Sequence, residues 1–531
     1  MSSLCGERAM ARVLAVQGSR RAGTVTGVTA RSSLASSTMP SDSGAPQATK
    51  SAAQGLIDFL NASPTPFHAV ANGVAMLEEA GFKRIYEDED WESFVRPGGS
   101  YYYTRHTLAI IAFTLPHDWQ PGRGLSIAGT HLDSPRLQVR PISKKSAEGY
   151  LQVGIEPYGG GLWSTWFDRD LGIAGRIIVK DSGLSGGFRT ELVRIDRPLL
   201  RIPTLAPHLS TAPSNSFAFN LETQFVPILG QEHPGRGGKL MGDGEPPQQT
   251  TTQHGDKNEL GQIQTALNAL GRHHPELLEA VADQLQVNLE DMYELELSLY
   301  DIQPGTLGGA KGEFIFAPRM DNQFSTYCAI RAIVESTRTA QQIFHKEEGA
   351  NVNVVLCFNH EEIGSVSTSG AASNIARSLI ERLSPGPGPT ARSIARSFII
   401  SSDVGHAIHP SYAAKYERNH SPRLNGGVSI KTNARQRYTS EGIGSFVVKQ
   451  LAAKRGRTLQ EYELPNDVNG GSTIGPEMSK LGIRTVDVGA CLVSMHSIRE
   501  QAGTEDVQAL IDLFAALFDH YNEVADSLQI A

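Results

Sequence analysis

Residues 352–364 read VNVVLCFNHEEIG: seven residues that are apolar apart from Asn353, then a polar turn holding a His and two adjacent Glu, closed by Gly364. A short, nearly continuous apolar run of this kind predicts a strand buried on both faces, as occurs where helices cover a largely parallel sheet. Similar runs recur on either side, at 125–129, 314–317, 398–401 and 485–488. Between them lie segments of helical spacing: 55–59, 66–80 with Gly81 as its C-terminal cap, 322–338 and 504–527. Strands alternating with helices predict the α/β class.

From about 141 to 307 the texture changes to β-rich segments such as 150–153 and 175–179, followed by a polar loop and a helical stretch. This predicts an inserted second domain between two parts of a first, 52–140 and 308–531. The Pro-, Gln- and Gly-rich stretch 242–258 and the run SPGPGPT at 384–390 read as mobile surface excursions. Residues 1–50 carry five Arg and Lys50 against Glu7 and Asp42, with many Ser, Ala and Gly. They read as an organelle targeting segment, as a disordered extension, or as an upstream start ahead of Met39.

Of the 531 residues, 40% are hydrophobic and 20% charged, which suits a globular chain and excludes a wholly disordered or collagen-like one. Lys and Arg total 48 against 56 Asp and Glu, a net charge of −8 with no long basic run, so nucleic acid is not expected as the main partner. No stretch of 18 or more apolar residues predicts a membrane span. Four scattered cysteines form no C-x-x-C pair, which fits a reducing compartment such as the cytoplasm, with vacuole or mitochondrion as alternatives if the N-terminal segment is a targeting one.

Candidate chemistry gathers just beyond the apolar runs, where open α/β sheets place their sites. His131 and Asp133 follow the run 125–129 in a His-x-Asp spacing that lets the carboxylate fix the imidazole; a purely structural histidine is the alternative. Glu361 and Glu362 follow the run 352–358 and point different ways, so that one could ligate a metal while the other handles a proton, unless both merely decorate a solvated turn. Asp403 ends the run 398–401, Asp321 stands where a strand meets a helix and could equally be its N-cap, and His496 lies beyond 485–488. Carboxylates and imidazoles suit a dinuclear metal site, since a carboxylate can bridge two ions. There is no Walker loop, no complete dinucleotide fingerprint around Gly159-Gly160-Gly161 and no G-x-S-x-G elbow.

GTHLDSPRL at 129–137, GGGLWSTWFDRDLGIAGR at 159–176, RMDNQ at 319–323, NHEEIGS at 359–365, SSDVGHAIHPSY at 401–412, NDVNGGSTIGP at 466–476 and SMHSIRE at 494–500 resemble, in order and spacing, the aspartyl aminopeptidase family of metallopeptidases. The resemblance runs from about residue 52 to the C-terminus. It implies a catalytic α/β domain with a mixed sheet flanked by helices, an inserted dimerisation domain, and assembly of dimers into a homododecamer. By the family pattern, Asp321 bridges two divalent ions, most often zinc with cobalt or manganese as alternatives. His131 and Asp403 complete one ion's ligands, Glu362 and His496 the other's, and Glu361 is the general base. The implied substrates are peptides with an acidic N-terminal residue, met by Lys431 with His406 and Tyr438 nearby and by His208 reaching a neighbouring subunit.

Overall fold

The computed structural model describes residues 47–181, 183, 187–210, 217–232, 269–342 and 349–529. The N-terminal segment as far as residue 46 and the stretch 242–258 lie outside the described residues.

The run 352–358 forms a strand, Val352–Phe358, every residue of which is buried. It pairs in parallel with Leu125–His131, which pairs in parallel with Phe398–Ser402, and that strand in turn with Arg484–Gly489. Antiparallel neighbours flank these four, Ala109–Thr114 beside Val352–Phe358 and Ser429–Lys431 beside Arg484–Gly489, within a mixed sheet of nine strands among the described residues. Because side chains alternate across a strand, each central strand feeds two cores. Ala128, Val355 and Ile400 face helices Gln47–Ala62, Pro66–Glu79, Met320–Gln342, Gly442–Lys454 and Thr504–Asp526. Ile127, Val354, Leu356 and Ile399 face helix Ile375–Leu383 and the turn carrying Ile474 and Met478. Gly81 ends helix Pro66–Glu79 in the left-handed region at φ 86°, where its amide donates to Glu78 O.

Two expectations need correction. Among the described residues, the strand Phe314–Ala317 is not part of the central sheet: it pairs antiparallel with Glu500–Gly503 in a separate five-stranded sheet. The run SPGPGPT is an ordered helix start, not a mobile excursion, since helix Pro387–Arg396 begins inside it after Gly386 at φ 94°. Proline's fixed φ suits the first helical turn, and the buried Ser384 hydroxyl accepts from the Gly122 amide at 2.9 Å.

Among the described residues, six strands between Arg136 and Asp301 form a second, antiparallel sheet. Helix Pro275–Leu285 closes its core through Leu277, Leu278 and Val281. Trp166 is buried in that core, and so is Ile498, which follows His496 by two residues. The loop carrying His496 is therefore seated against the second sheet.

Candidate metal centre and active site

The four parallel strands run the same way, so their carboxyl ends open on one edge, and the strand-end residues meet there. His131 is the last residue of its strand and registers with Phe358. Its Nδ1 lies 3.1 Å from Asp133 O and 3.4 Å from Asp133 Oδ1. Both are acceptors, so Nδ1 carries the hydrogen and Nε2 is left to face inward. Nε2 stands 3.4 Å from Asp403 Oδ1, 3.5 Å from Asp321 Oδ1 and 3.7 Å from Glu361 Oε2.

The second oxygen of Asp321, Oδ2, turns the other way, 3.1 Å from His496 Nε2, which is itself 3.4 Å from Glu362 Oε2. His496 Nδ1 donates to Gly160 O at 2.9 Å, which again turns Nε2 toward the carboxylates. Gly159 packs so closely here that an added Cβ would lie 3.0 Å from the Glu362 Cβ.

Two groups of ligand atoms result, His131–Asp321–Asp403 and Asp321–Glu362–His496, and within each the atoms lie within 4.8 Å of one another. Buried atoms of these side chains, His131 Nε2, Asp321 Oδ1, Glu362 Oε1 and Asp403 Oδ1, have no hydrogen-bond partner. Six carboxyl groups crowd the site, Asp133, Asp321, Glu361, Glu362, Asp403 and Glu500, against the Lys431 ammonium and, at the margins, the guanidinium groups of Arg136 near Asp133 and Arg319 near Glu500. Buried like charges and orphaned acceptors both call for cations, and an oxygen and nitrogen donor set of this kind fits divalent metal ions.

The protonation preferences tell the same story. Burial favours the neutral acid, and with the Asp403 and Asp321 charges it pushes Glu361 up to about 8; burial and Asp321 raise Glu362 well above the usual carboxylate range. Burial would raise Asp321 too, but the imidazoles of His131 and His496 outweigh it and hold that carboxyl well below its ordinary value. The imidazoles respond in kind: against the opposing effect of burial, Asp321 and Glu362 carry His496 up to about 10.

Asp133 is the hub beneath both groups. Besides His131, it accepts from the amides of Glu361 at 3.2 Å and Glu362 at 3.1 Å, and from the Tyr158 hydroxyl at 2.7 Å. Ser134 Oγ donates to Asp321 O. Sequence reasoning missed Tyr158, Gly160 and Glu500, whose carboxylate accepts from the amides of His496 and Asp321. Of these, Gly160 and Glu500 stand in motifs already singled out, but nothing local marks what they touch.

Lys431 is buried beside the cluster. Its Nζ donates to Val404 O at 2.8 Å, lies 3.7 Å from Asp403 Oδ2 and sits 5.4 Å from the centroid of the Tyr438 ring. His406 is close by, its imidazole held below its ordinary value by burial and by Lys431. His208 is not gathered in: it is exposed on the one-turn helix Pro207–Leu209 of the second-sheet region.

A family profile described as aminopeptidase I zinc metalloprotease (M18) matches residues 59–518. The aspartyl aminopeptidase of Aspergillus oryzae is 42% identical over 498 residues, covering 90% of this chain and 98% of that protein. Aspartyl aminopeptidase 4 of Saccharomyces cerevisiae is 42% identical over 488 residues, 89% of this chain and 96% of its own. Among solved structures, the cryo-EM structure of the Ape4 and Nbr1 complex matches with a TM-score of 0.81 at 40% identity, covering 91% of this chain and 88% of that one. The S. cerevisiae mApe1 dodecamer matches with a TM-score of 0.75 at 29% identity, covering 90% and 98%. By sequence and by fold, the chain is an enzyme belonging to the M18 family of zinc metallo-aminopeptidases.

Proposed function

We propose that this aminopeptidase releases N-terminal aspartate or glutamate from peptides, using two divalent ions, zinc by the family's description. His131, Asp321 and Asp403 would hold one, and Asp321, Glu362 and His496 the other. The observation that carries this reading is the Asp321 carboxylate, whose two oxygens face two separate groups of ligand atoms. When bound, such a pair of ions lowers the pKa of a water between them and polarises the scissile carbonyl.

The chain's own residues do the remaining work. Glu361 takes a proton from the attacking water and hands it to the leaving amine as the peptide C–N bond breaks. It is partly exposed, at 16% of its side chain, so it can meet both the water and the substrate. Asp133 anchors the Glu361 amide and limits how far that side chain can swing.

Acid preference is supported by the names of the relatives and by Lys431, a buried cation with one close hydrogen bond of the three its ammonium can donate. Tyr438 and His406 complete the wall around it, and His208 would serve a neighbouring subunit's site. The mApe1 dodecamer supports a homo-oligomer, and in our reading the region 141–307 supplies the dimer contacts.

The test is kcat/KM on Asp-, Glu- and Leu-anilides for wild type and Lys431→Met. A charge-assisted hydrogen bond contributes about 1.5–3 kcal/mol, or about 10- to 150-fold, so the acidic substrates lose that factor while the Leu substrate does not. An equal loss on all three would show that Lys431 supports the site and does not select the substrate.

A further inference from the structure

Strand pairing brings an unassigned glutamate to the metal centre. Glu500–Gly503 runs antiparallel to Phe314–Ala317, with Glu500 opposite Ala317, four residues before Asp321. Between His496 and Glu500 the chain turns sharply enough to bring His496 back over the glutamate, His496 itself standing at φ 66°. Asp321 is non-helical at the start of its helix, so its amide has no partner within the helix. Glu500, 2% exposed, meets both amides: Oε1 accepts from His496 N at 2.9 Å and Oε2 from Asp321 N at 3.1 Å.

We propose that Glu500 is a positioning residue that fixes the separation of His496 from Asp321, and through it the affinity of the ion these two residues and Glu362 would share. The proposal rests on the two-ion reading above. A carboxylate suits the task because it offers two acceptors on one rigid plane. Glutamine at the same place keeps the shape but aims an amide donor at one of the two N–H groups. Glu500 accepts from His496 and Asp321, whereas the first ion's remaining ligands, His131 and Asp403, follow the register of the central strands.

The experiment titrates metal-free wild type and Glu500→Gln with Zn2+ against a competing chelator, alongside the melting temperature of each metal-free protein. Loss of a supporting hydrogen bond to a metal site costs about 10- to 100-fold in affinity. The expected result is that weakening at one Zn2+ equivalent, a clearly smaller change at the other, which shares Asp321, and a metal-free melting temperature within a few degrees of wild type. Excess Zn2+ should then restore kcat. Equal weakening of both equivalents, weakening of neither, or a metal-free variant that no longer folds would each overturn the proposal, the last by making Glu500 a support of the fold. A wild type that binds one equivalent would overturn the two-ion reading instead. Glu500 would then be judged on that single affinity, with an unchanged value counting against it.

Discussion

His131 and His496 face the same Asp321 carboxylate, yet the chain holds them by different means. His131 ends a central strand with parallel neighbours on both sides, and its side chain is 1% exposed. His496 rides on a loop, its side chain is 30% exposed, and it depends on Gly160 O, on Glu500 and on the seating of Ile498 in the second sheet. One corner of the site is thus built by sheet register and the other by contacts between distant segments. The difference teaches where the centre is expected to yield first: on the two-ion reading proposed above, the loop-held corner should release its ion more readily, because local opening of a loop costs less than opening a central strand.

Asp321→Asn tests the comparison most severely, because both corners use that carboxylate. On the two-ion reading, both ions should be lost and activity should fall to background, whereas Glu362→Gln should weaken chiefly the loop-held ion, by more than the roughly 10- to 100-fold of a lost supporting bond. Metal content by mass spectrometry after dialysis checks this, and full occupancy in both variants would show that the corners are drawn wrongly. Glu361→Gln comes next. That residue lies near the sheet-held corner but belongs to neither ligand group. Turnover should drop by about 10²- to 10⁴-fold with both ions retained; activity within about threefold of wild type would remove Glu361 from the proton path.

The smallest effect is expected from Tyr158→Phe, which deletes the hydroxyl that donates to Asp133. A hydrogen bond to a charged group contributes about 1.5–3 kcal/mol, so the melting temperature should fall by a few degrees. Since Asp133 supports the His131 ring and the Glu362 amide alike, both Zn2+ affinities should weaken together. A loss confined to one corner would break the picture of Asp133 as a shared hub.

What was legible in the sequence follows the same division. The run 352–358 and its parallel neighbours are largely apolar because both of their faces are buried, so their ends, and with them His131, Glu361, Glu362 and Asp403, could be located one segment at a time. The division of the ligand groups around Asp321 came from family resemblance, not from spacing. Strand Phe314–Ala317 was legible as a strand but not as a member of its sheet, because its partner Glu500–Gly503 is remote in sequence and register is a tertiary property. Gly160 and Glu500 escaped for the same reason: the first touches a residue 336 positions away and the second one 179 away. At 384–390 the proline content suggested a loop, whereas Pro387 at the first turn starts a helix.

One further consequence lies in the divided carboxylate of Asp321. Its Oδ1 and Oδ2 belong to different corners but share one negative charge, so neither corner has a private complement of ligands. If each corner holds an ion, as proposed, occupancy of one alters the free energy of occupying the other, and thermodynamic linkage makes that factor identical in both directions. Titration of the empty protein should therefore trace a coupled curve that no pair of independent sites reproduces, with Asp321 as the group through which each corner reports its state to the other.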